Sequence, residues 1–156
     1  MMKIINFFLI ILLMLGCKND YNQKQIIIPS SITVWNKNDE PPSITTCDQI
    51  ESESERNICF QQKLTKSIFD NIDFSQIEVN NSLNDTLKIS ILIDKDGKIS
   101  LYDSQINSKV RKQIPLIDSI LYNAINNLSN VLPAIKTNIG VEVNSRFELP
   151  LIIKTN

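Results

Sequence analysis

At 156 residues, with a net charge of -1 and 21% charged side chains, the chain suits one domain plus a tail and offers no electrostatic case for nucleic acid. It contains no histidine, which removes Ser-His-Asp and Cys-His catalysis and any histidine metal site. With 3 glycines and 6% aromatic residues there is little material for phosphate-cradling loops or base-stacking surfaces, so neither an enzyme nor a cofactor is expected.

Residues 1–16 combine a single early charge, Lys3, with an apolar run over residues 4–15 that only Asn6 interrupts, and they lead into Gly16-Cys17. That run is short for a bilayer-spanning helix of roughly 20 residues but suits the apolar region of a signal peptide. Leu13-Met14-Leu15-Gly16-Cys17 resembles the bacterial lipobox, with Met14 and Leu15 where leucine and a small residue are commonest. The resemblance implies that Cys17 is the diacylglyceryl-modified N-terminus of the mature protein, held on a membrane by its acyl chains. Residues 17–45 then read as this lipidated end and a flexible tether, rich in Asn and Lys and closing with Asp39-Glu40-Pro41-Pro42. Ile26-Ile27-Ile28 with Ile32, Val34 and Trp35 is the exception, read as a short strand docking on the domain, with a partner-binding motif as the alternative.

The folded domain is expected over residues 46–156. With Cys17 taken by lipid in an oxidising compartment, Cys47 and Cys59 make an even pair and are expected to be bridged. In one continuous helix their Cα atoms would lie about 18 Å apart, beyond the roughly 7 Å that a bridge spans, so a helix must start between them. Ser52-Glu53-Ser54-Glu55 supplies a capping box there, and Phe60, Leu64 and Ile68 form a stripe that carries the helix to about Asp70. A polar connection over residues 73–85 follows.

Residues 87–103 read as a β-hairpin. Leu87, Ile89, Ile91 and Ile93 alternate with Lys88, Ser90 and Leu92, Asp94-Lys95-Asp96-Gly97 breaks the pattern, and Ile99 and Leu101 resume it. Asp94 and Asp96 share their spacing with a calcium loop, but the distal ligands are missing and the turn reading stands. Residues 108–113 are polar and basic. Ile114, Ile117, Leu121, Ala124, Ile125 and Leu128 then recur at helical spacing, placing a second helix over residues 115–127. After a loop containing Leu132-Pro133, the alternation of Val141, Val143, Phe147 and Leu149 gives a last strand that ends near Pro150 or passes it as an edge.

The expected fold is therefore α+β: a small three-stranded antiparallel sheet with two helices packed on one face. The run from Leu87 to Ile99, the helix, Leu132-Pro133, Gly140 and Phe147-Glu148-Leu149-Pro150-Leu151 together resemble the C-terminal domain of TonB-family proteins. Cys47 with Glu55-Arg56-Asn57-Ile58-Cys59-Phe60 resembles the segment before the domain in a cysteine-paired branch of that family. The resemblance implies that the final strand offers an edge, formed by Val143, Asn144, Ser145, Arg146, Phe147, Glu148 and Leu149, which an extended peptide can complete. It also departs from the family. There is no histidine, the leader ends in Gly-Cys, and the tether is short, so coupling to a proton motive force is not expected. The expectation is a lipid-anchored binding module of the cell envelope, on the outer membrane facing the periplasm. Its partner would be an envelope protein such as a TonB-dependent transporter. The alternative is a structural or assembly lipoprotein.

Overall fold

The computed structural model describes residues 35–155; the leader, Cys17 and the isoleucine-rich stretch 26–34 lie outside the described residues. In chain order the elements are a single helical turn α1 (Thr45–Asp48), α2 (Glu53–Asp70), a 3-10 turn (Phe74–Gln76), β1 (Asn84–Ile93), β2 (Ile99–Gln105), α3 (Ser108–Gln113), α4 (Ile117–Asn126), β3 (Ala134–Lys136), β4 (Val141–Val143) and β5 (Ser145–Lys154). The fold is α+β, with a three-stranded antiparallel sheet and several helices.

The sheet order is β2-β1-β5, with β1 central and antiparallel to both neighbours. Leu87, Ile89, Ile91 and Ile93 of β1 are fully buried, so one face of the hairpin is dry as its alternation demands. That face is covered by Phe60, Leu64 and Ile68 of α2 and by Leu121, Ala124 and Ile125 of α4. The opposite face carries exposed Lys88 on β1 and exposed Tyr102 on β2. Exposed Arg146, Glu148, Pro150 and Ile152 complete it on β5. The two layers follow from covering the apolar face and leaving the mixed one wet.

α2 begins where the capping box places it: the Ser52 side chain accepts from the Glu55 N–H, and the helix ends at Asp70. The cysteines flank that start, with sulfurs at bonding distance and Cα atoms 5.7 Å apart. α3 lies in residues 108–113, the stretch read only as polar and basic. Val110 is its only buried side chain, too little apolar periodicity to mark a helix, and the Asn107 side chain caps it by accepting from the Val110 N–H.

The last expected strand is two strands in two sheets. β4 pairs with β3 in a separate small sheet, while β5 pairs with β1 over its whole length and runs straight through Pro150, opposite Lys88. Proline is tolerated there because β5 has a strand on only one side among the described residues. Residues 40–43, in the stretch read as tether, run beside the small sheet and make two isolated bridges, one to β3 and one to the residues before it. Glu40 exchanges both backbone hydrogen bonds with Ile135, and Ser43 does so with Leu132.

Candidate functional site

β5 leads the site, because its side away from β1 borders a groove. One wall of the groove is Ser145, Phe147 and Glu148 of β5, the second is Glu53, Asn57, Phe60 and Gln61 of α2, and the third is the segment from Trp35 to Pro42. Its volume is about 260 Å³. Each wall has a cause in sequence. Phe60 and Phe147 point inward by the helical and strand periods respectively, and their rings meet edge-on at 5.7 Å between centroids. Pro41 and Pro42 stiffen the third wall, which the small sheet pins in place.

The corner between β4 and β5 aims that wall at β5. Asn144 sits between the two strands; its carbonyl accepts from the Trp35 N–H at 3.3 Å and its side-chain oxygen accepts from the Lys95 N–H at 2.9 Å. Asp39 fixes the same segment from beneath. It accepts from the Lys136 ammonium at 2.8 Å and from the Asn36 N–H at 2.9 Å, and both members of the ion pair are buried. The Lys136 hydrogen bond holds the Asp39 carboxyl below the usual carboxylate range, against the opposing effect of burial.

Two polar atoms of residues that line the groove, Trp35 Nε1 and Ser145 Oγ, are buried and have no hydrogen-bond partner among the described residues. Ser145 is 3% exposed. Leaving such groups unpaired costs about 1–3 kcal/mol each. Glu53 and Glu148 are exposed at its rim and form no ion pair among the described residues. A shallower concavity of about 670 Å³ adjoins it on the open sheet face, where Arg146 stacks over Tyr102 at 4.5 Å beside Val141.

The expected edge residues thus separate. Ser145, Arg146, Phe147, Glu148 and Leu149 lie in β5, with Ser145, Phe147 and Leu149 facing the helices and Arg146 and Glu148 the open face; Val143 is buried in β4 and Asn144 forms the corner. Trp35, Pro41, Pro42 and Asn57 were not singled out as groove walls by sequence reasoning. The lone tryptophan at the end of an apolar stretch was the available signal. Among the described residues no group of three or more His, Cys, Asp or Glu side chains could hold a metal, and no helix is long and apolar enough to cross a membrane. No family model, curated protein or solved structure matches the chain.

Proposed function

We propose that the chain is a protein-binding module of the bacterial envelope, resembling the TonB C-terminal domain, which takes an extended peptide along the outer side of β5 without transducing energy. Acyl chains on Cys17 would anchor it to a membrane, with the domain in the periplasm. The observation that carries this reading is the groove beside β5, on the side where β5 has no neighbouring strand among the described residues. A peptide backbone supplies the N–H and carbonyl groups that can pair with the outer side of β5, and Trp35 and Ser145 line the groove beside it. Phe60, Phe147 and Pro41 suit an apolar side chain, and Glu53 with Glu148 suits a flanking lysine or arginine.

Trp35 is the single tryptophan of the chain, so its fluorescence reports on the groove directly. Titration of the full chain with synthetic periplasmic segments of outer-membrane transporters is expected to shift that emission saturably. Backbone amides of residues 145–149 should exchange more slowly on binding, and Glu148→Lys should weaken peptides carrying a basic residue. Peptides that bind without slowing exchange along β5, or no binding by any such segment, would overturn the reading.

A further inference from the structure

We infer that a second cavity, at the opposite end of β5, binds a single medium-length alkyl chain that ends in a carboxylate. The cavity has a volume of about 230 Å³ and opens where the end of α2, the 3-10 turn, α4 and the last residues of β5 meet. Its walls are hydrocarbon, supplied by Phe69, Ile72, Ile77, Ile117, Ile120 and Ile153. Exposed Phe74 and Ile152 continue the apolar surface at the mouth.

Size and charge together select the occupant. Whole drug-sized ligands fill clefts of roughly 300–1,000 Å³, so this cavity takes less than that. An apolar cavity of about 150 Å³ lined by Leu, Ile and Phe holds benzene, and on that scale this one holds on the order of nine carbons. Lys154 is the only charged wall residue among those described, is exposed, and pairs with no carboxylate among the described residues. Thr155, the polar residue beside it, is already spent on Leu83: its N–H donates to the Leu83 carbonyl at 3.0 Å and its Oγ1 accepts from the Leu83 N–H at 2.8 Å. One anionic head at the rim and a hydrocarbon tail inside satisfy every group the cavity presents. The site uses residues 151–155 of the chain's end, away from Ser145 and Phe147, so it stands independently of the peptide reading.

The test is methyl NMR on the full isoleucine-labelled chain, titrated with hexanoate, octanoate, decanoate and dodecanoate. Saturable shifts should be confined to the methyl groups of Ile72, Ile77, Ile114, Ile117, Ile120, Ile152 and Ile153. Affinity should rise about fourfold per added methylene and level off once the cavity is full. Lys154→Glu, at an exposed position, should weaken decanoate about fivefold and leave decanol unchanged. Ile120→Trp should block both ligands; should that variant fail to fold, the Lys154→Glu comparison decides alone. Absent or scattered shifts, affinity that ignores chain length, equal effects of Lys154→Glu on acid and alcohol, or shifts seen only with phosphatidylglycerol vesicles would each overturn the assignment.

Discussion

Gly97 joins the hairpin turn to the loop after α4 by direct backbone contact. Its φ is +77°, its carbonyl accepts from the Val131 N–H at 2.9 Å, and a Cβ added there would sit 1.9 Å from the Val131 carbonyl oxygen. Alanine must therefore adopt a left-handed conformation, about 1–2 kcal/mol, and push backbone aside, about 1–3 kcal/mol more. Gly97→Ala is expected to destabilise the fold by roughly 2–5 kcal/mol, read from the urea midpoint at constant slope. Gly140 is the control: φ is +64° but nothing lies within 4 Å of its added Cβ, so Gly140→Ala should cost only about 1 kcal/mol. The Asp-Gly turn was legible in the sequence because local chemistry decides it. Asp94 shows how, since one carboxylate oxygen accepts from both the Asp96 and Lys98 N–H groups at 2.9 Å. The approach of Val131, which connects residues far apart in the chain, leaves no local mark.

At the scale of elements, what was legible is what periodicity and capping dictate: α2 with its Ser52 cap, the hairpin, and the amphipathic stripe of α4. What was not legible is where the chain changes partners. Val141, Val143, Phe147 and Leu149 keep one alternation, yet β4 hands over to β5 at Asn144, because a period of two describes a strand and not the neighbour it pairs with. β3 is three residues long and follows Pro133, too short for any alternation to register. The groove inherits this gap, since its Phe60 and Phe147 walls were readable while its Trp35 and Pro42 wall depends on pairing between residues 40–43 and 132–135. The disulfide staples α1 to α2 at the same place. Closing a loop between residues 12 apart is worth about 3 kcal/mol in the chain-entropy model. Cys59→Ala is accordingly expected to lower stability by about 2–5 kcal/mol, and alkylation of the oxidised protein without reductant should label neither cysteine.

At the scale of the whole molecule, the segment before α1 bonds both to the small sheet and to the corner where β4 hands over to β5, and Asp39 is its charged fastening. Its carboxylate meets Lys136 of β3 and the Asn36 N–H in a site where both side chains of the ion pair are less than a tenth exposed. The Lys136 hydrogen bond keeps the folded-state pKa of Asp39 below the value of about 3.9 that it has in an unfolded chain. On acidification the unfolded state therefore takes up its proton first, and stability that is complete above that value drains away as the pH falls through the folded-state pKa. Asp118 behaves in the same direction, because Arg111 donates to it, so the total acid response of the wild type contains both groups. Comparison with Asp39→Asn isolates the one that matters for the groove. The wild type should unfold at a higher temperature than Asp39→Asn at neutral pH, and the gap should close steadily below about pH 4. Trp35, four residues from Asp39 and the only tryptophan, should show its emission moving toward that of exposed indole over the same acid range in the wild type. In Asp39→Asn the emission should already be shifted at neutral pH. A gap in unfolding temperature that persists unchanged to pH 2, with Trp35 emission constant throughout, would mean that the ion pair does not fasten the third wall of the groove.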